Sequence, residues 1–280
     1  MAITWTTGIT IIGSCGAAVL GQMAANLFTN KRENKKYDKE CFQNFYSPLV
    51  FKVIEYVYNE SFKTSEMENE SFNEIDFEKS LLNPEPIFEE IIKYMGDNLK
   101  YANPELIMIY EEVKAMASLI QRDKEDPSSN VEYRLSLCRE FLLEYIKLSD
   151  GLNVLSSTVK DRVKVPLFFT EFYFLLNHCN LQRLAERSLH DIVLFELIIL
   201  HKDHKDFLDR VIAIEKEITF VTKNRAYQNR YEDAFTDALH FINEVIAAIS
   251  SIPVAEEVAI YWRGMLEKEL ENKNSLKISG

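Results

Sequence analysis

Glycine is scarce in this chain: eight residues in 280, four of which (Gly8, Gly13, Gly16, Gly21) fall within the first 21. So few backbone-permissive positions beyond that point disfavour hairpin-rich β folds and glycine-rich phosphate loops. Cysteine is equally sparse. Cys15, Cys41, Cys138 and Cys179 are widely spaced and form no CxxC pair, so nothing points to a disulfide framework or a zinc site, and free buried thiols in a reducing compartment are the expectation. Charge is absent from residues 1–30, and histidine is absent before His178. No Walker A loop, GxGxxG, GxSxG, HExxH or EF-hand loop occurs. No stretch sustains the period-two alternation of a half-buried strand. Basic residues are outnumbered, 32 Lys and Arg against 44 Asp and Glu; the net charge of −12 repels phosphate and argues against nucleic acid as a partner.

Apolar residues make up 47% of the chain and aromatics 12%, enough for one large domain or two small ones and too much for a low-complexity disordered chain. The uncharged stretch from Ile3 to Phe28 is 26 residues long. As a helix it extends roughly 39 Å at ~1.5 Å per residue, and a bilayer core needs only about 20 residues. Gly13, Ala17, Gly21 and Ala25 recur every fourth residue beside Ser14, Gln22 and Asn26, while Ile12, Val19, Leu20, Met23 and Leu27 occupy much of the other side. Small residues at this spacing let helix backbones approach closely in lipid, and Gln or Asn hydrogen-bonds across such a contact. The expectation is a single membrane-spanning helix that self-associates, so that membrane lipid and a second copy are both partners. The alternative is a soluble helical protein with residues 3–28 buried in an assembly.

Lys31, Arg32, Lys35, Lys36 and Lys39 follow the uncharged run at once, interleaved with Glu33, Asp38 and Glu40. The positive-inside rule then puts the large body in the cytoplasm and the short N-terminal side outside. A cleaved signal peptide needs basic residues before its apolar core, and none stand there. Ile12-Gly13-Ser14-Cys15 is a loose lipoprotein-type sequence, but the apolar stretch continues well past Cys15.

The body reads as all-α, about nine helices after the span. Ser47-Pro48, Asn83-Pro84, Asn103-Pro104 and Val165-Pro166 each precede an apolar-periodic stretch, and the first three pair an N-cap former with proline at the first helical position. Ser129-Asn130-Val131-Glu132 reads as a capping box. Helices are expected at 3–28, running on through 31–46, then at 48–62, 85–100, 104–122, 131–149, 152–163, 166–201, 205–223, 226–250 and 254–272. The organisation expected is an anchor at 1–30, juxtamembrane helices at 31–63, an acidic loop at 64–83, a helical body at 84–272 and a flexible tail at 273–280. From Glu60 to Glu90 ten acidic residues face two basic ones, which suits a solvated linker. The run from Leu167 to Leu176 is hydrophobic nearly all round and is interrupted by Glu171; it is the expected central core helix.

All five histidines (His178, His190, His201, His204, His240) lie in the last third of the chain or close to it. His190-Asp191 matches the dipeptide of HD-type metal phosphohydrolases, for which His178 and Asp233 or Asp237 are nominal further ligands. Six residues separate Arg183 and His190 on an expected helix, and this pair resembles the Arg-x4–6-His motif of the HEPN-family ribonucleases. That resemblance implies a histidine moving a proton and an arginine holding phosphate, although the polar residue usual after the arginine is Leu184 here. Arg187 and Asp191 are placed for an i,i+4 ion pair. His201 and His204, or Asp237, His240 and Glu244, could present metal ligands one turn apart, but no Glu-x-x-His motif accompanies them. No metal or cofactor is therefore expected, and enzymatic activity is not the leading reading. The leading reading is a membrane-anchored cytoplasmic helical protein that works by binding a protein partner or by oligomerising at the membrane. The Lys-, Asn-, Ile- and Glu-rich vocabulary suggests a bacterial or phage source, and an abortive-infection ribonuclease using Arg183 and His190 is the rival.

Overall fold

The computed structural model describes residues 32–68, 83–123, 127–200 and 206–278, and all regular structure in those segments is helical. The expected span and its packing residues Gly13, Ala17, Gly21, Gln22, Ala25 and Asn26, together with Lys31, lie outside the described residues. Among the described residues no single helix is long and apolar enough to cross a membrane. One pair of helices, Tyr231–Ser250 with Pro253–Lys273, passes on length and composition together, but it bends by 113°.

The described chain begins with α1 (32–41), which passes through a π-helical turn at Phe42–Tyr46 directly into α2 (Ser47–Glu68). Ser47-Pro48 therefore does not start a helix. Pro48 has no N–H for the carbonyl of Asn44, the helix widens there, and the Tyr94 hydroxyl donates to that carbonyl at 2.7 Å. A side chain from another helix thus offsets the lost backbone bond. Where the expected caps hold, they do so by the expected chemistry. Asn83 accepts the Glu85 amide at 3.1 Å at the start of α3 (Pro84–Asn98), and Asn103 accepts the Leu106 amide at 2.7 Å at the start of α4 (Pro104–Asp123).

The next helix, α5, spans Pro127–Leu152, starting before the expected capping box. The stretches expected as 152–163 and 166–201 are divided differently. Ser156 caps α6 (Ser157–His178), and Pro166 sits in its interior. The helix then stops at Asn180 (φ 53°), where the Leu181 amide reaches back to Leu176 O at 2.9 Å and the Asn180 amide to Asn177 O at 2.8 Å. Asn153 (φ 54°) ends α5 in the same manner, with Val154 N–H on Ser149 O at 3.3 Å. These are left-handed helix stops in which asparagine takes the place usually held by glycine, in keeping with a body that has little glycine. Two short helices follow, α7 (Gln182–Ser188) and α8 (Ile192–Leu200), then α9 (Phe207–Lys223), α10 (Tyr231–Ser250) and α11 (Glu256–Ile278). Both α2 and α11 extend past the expected boundaries, to Glu68 and Ile278.

The core is built around α6. Every residue from Val165 to Leu176 is buried, charged Glu171 included. Phe168 and Phe172 of α6 pack against Phe195 (α8), with ring centroids 5.2 and 5.6 Å apart. Phe172 stacks on Trp262 (α11) at 6.2 Å, and Phe207 (α9) meets Phe241 (α10) at 5.5 Å. Five helices converge on this aromatic cluster, and burial of rings that size dominates the stability of such a core.

Candidate functional site

Burying a carboxylate in the middle of α6 demands compensation. Arg139 of α5 supplies it with both arms: Nε donates to Glu171 Oε1 at 2.8 Å, and Nη2 donates to Glu215 Oε2 of α9 at 2.7 Å. The guanidinium lies over the Phe174 ring, 5.2 Å from its centroid. Glu215 Oε1 also accepts the Thr219 hydroxyl at 2.9 Å and sits 3.1 Å from His178 Nδ1 at the end of α6. The cluster reaches solvent through His178, whose side chain is 33% exposed, while both carboxylates are enclosed.

The two acids answer the same cation differently. Glu171 is held above the usual carboxylate range because its burial outweighs Arg139, and its Oε2 has no hydrogen-bond partner. Burial also pushes Glu215 upward, but His178, Arg139 and Thr219 outweigh it and bring Glu215 below that range. One guanidinium thus serves two carboxylates of opposite bias, an arrangement that ties α5, α6 and α9 into one body.

A second feature is a cleft of about 560 Å³ between α2, α6 and α8. Its apolar surface comes from Phe51, Ile54 and Val165, and its polar groups include Tyr58, Arg162 and Glu196. The Tyr58 hydroxyl donates to Glu196 Oε1. Burial, and then that carboxylate, push the phenol above its usual range, so Tyr58 stays a neutral donor.

The residues singled out by sequence fall in separate places. Arg32, Lys35, Lys36 and Lys39 are exposed along α1, and Tyr37 on the same helix donates to Lys100 O at 3.3 Å. Arg183 is exposed in the first turn of α7, where its amide donates to Glu269 at 2.9 Å. His190 lies beyond the end of that helix, in the turn before α8, so the pair does not share one helix. Asp191 accepts the Trp262 indole N–H at 3.0 Å and pairs with Arg187 at 3.5 Å, as the i,i+4 spacing implied. His240 pairs with Glu244 at 2.8 Å, and Glu244 also takes Arg210 at 2.6 Å. His201 and His204 lie outside the described residues. Among the described residues no group of three His, Cys, Asp or Glu side chains could hold a metal ion.

Sequence reasoning noticed Glu171 as the charge in an apolar run but found none of its partners, since Arg139 and Glu215 stand on other helices. The cleft residues Tyr58, Arg162 and Glu196 carried no signal of their own. In comparisons with protein-family models, with curated proteins and with solved structures, the chain matches nothing.

Proposed function

We propose that this protein is a single-pass membrane-anchored helical protein whose body lies in the cytoplasm and acts on a protein partner, with self-association through the N-terminal segment. The observation that supports this reading is the course of α1. Its residues 32–40 are exposed apart from half-buried Asp38, and they carry Arg32, Lys35, Lys36 and Lys39. From there the helix continues without a break into the buried start of the body at Cys41 and Phe42. An exposed helix carrying four cations among three acids, between an uncharged 30-residue segment and a packed core, suits a juxtamembrane stalk. Its cations sit where anionic headgroups would attract them. Confinement to a membrane raises the effective concentration of any partner there, so the body needs only modest affinity to act.

The anchoring segment is tested by putting one charge into it. An arginine at the centre of a span costs about 2.5–3.5 kcal/mol on insertion scales. Leu20→Arg should therefore move much of the full chain from the membrane to the soluble fraction, and an unmoved chain would mean that this segment does not anchor it. Gly21→Ile should weaken self-association of the span in a bilayer reporter by crowding the small-residue face; unchanged association would remove that mechanism.

A further inference from the structure

Two charges in the α2–α6–α8 cleft have no counter-ion among the described residues. Glu196 of α8 accepts a hydrogen bond from neutral Tyr58, but among the described residues no cation stands within ion-pair distance of it. Arg162 of α6 is exposed and likewise makes no ion pair among those residues. The other acid of the cleft, Asp161, is answered by Lys164 at 3.3 Å. The same cleft has uncovered apolar surface: Phe51 is 54% exposed, although it stands on the same helix as fully buried Val50 and Val53.

Pro166 has no N–H to offer the carbonyl of Arg162, four residues earlier in α6. At the chain's other interior proline, Pro48, the corresponding carbonyl is met by the Tyr94 hydroxyl. No side chain of the described residues donates to the Arg162 carbonyl, and Arg162 lines the cleft.

We propose that this cleft binds a zwitterion joined to an apolar body, its ammonium seated on Glu196 and its acid group on the Arg162 guanidinium. A simple cation is repelled by Arg162 and a simple anion by Glu196, whereas a molecule carrying both charges satisfies both. Phe51, Ile54 and Val165 take the apolar part, and the Tyr58–Glu196 hydrogen bond holds the carboxylate in place. The volume lies within the range of small-molecule sites. An apolar α-amino acid and the headgroup of an ethanolamine phospholipid share this chemistry. The inference stands apart from the anchor, since it concerns only the body.

The test is calorimetric titration of the full chain, held in a non-ionic maltoside detergent, with three probes that share one ring: L-phenylalanine, 3-phenylpropionate and phenethylammonium. Phenylalanine should bind at least about tenfold more tightly than either singly charged analogue. Glu196→Gln should erase its advantage over phenylpropionate, and Arg162→Ala its advantage over phenethylammonium. Both side chains reach solvent, and circular dichroism confirms that the variants remain folded. Dihexanoyl phosphatidylethanolamine in competition separates the sources. Tighter binding of the lipid assigns the site to a headgroup, and tighter binding of phenylalanine assigns it to a free amino acid. Equal binding of the three ring probes, no binding of either zwitterion, or indifference to both substitutions overturns the proposal.

Discussion

Glu171 and Glu215 share the Arg139 guanidinium and respond to acid in opposite senses. Glu215 is held below the ordinary carboxylate range. Its contribution to stability is complete above that range and is lost as the pH falls through its lowered folded value. Glu171 is held above the range. Folding is penalised by its ionisation, so stability is lost as the pH rises from the ordinary carboxylate value through its raised one. Urea midpoints measured between about pH 3 and pH 7 should therefore diverge for the two amides. Relative to the parent chain, Glu171→Gln gains stability as the pH rises and Glu215→Gln loses it. Parallel curves would show that the two acids are not biased as the structure implies. Arg139→Met is harsher at neutral pH, because it leaves enclosed carboxylates without their cation. A loss of about 3–5 kcal/mol is expected in the same assay.

At the scale of the element, α6 carries the fold. Phe172 touches Phe168, Phe195, Phe241 and Trp262, so its truncation opens a cavity at the meeting point of five helices. Phe172→Ala should cost about 3–5 kcal/mol by denaturant unfolding. The stop at the end of α6 predicts a finer contrast. Asn180 has φ 53°, a conformation in which a Cβ-bearing residue without a compensating polar side chain is strained by about 1–2 kcal/mol. Asn180→Ala should lower the unfolding free energy by roughly that amount, and Asn180→Gly should not.

These same elements show what could be read before any coordinates. The caps at Asn83 and Asn103 and the all-round apolar character of 167–176 are local properties, and the helices follow them. The prolines misled where the compensation is tertiary. Pro48 looks like a first-turn proline until Tyr94, on the next helix, is seen to donate to the freed Asn44 carbonyl. The break at Asn180 was masked by apolar periodicity that continues across it. The buried ion cluster was visible only as one misplaced glutamate, because Arg139 and Glu215 lie 32 and 44 residues from Glu171 and a helical period relates residues only a few positions apart. The cleft was not legible at all: Phe51, Arg162 and Glu196 meet only once three helices have packed.

At the scale of the whole molecule, the described body is a single helical core with an exposed, cation-bearing helix preceding it in the chain. The acidic chain as a whole, at −12, is repelled by anionic lipid, so Arg32, Lys35, Lys36 and Lys39 act locally against the mean charge. Replacing those four cations by Gln should weaken the orientation bias of the inserted chain without unfolding the body. Protease accessibility from the two sides of a sealed vesicle reports it. The proposed anchoring requires lipid to be the solvent for the first thirty residues. Alkaline carbonate extraction of membranes from cells expressing the full chain tests it most directly. The protein should stay in the membrane pellet and float with lipid on a density gradient; release of the whole population into the carbonate supernatant would exclude an anchoring role for that segment.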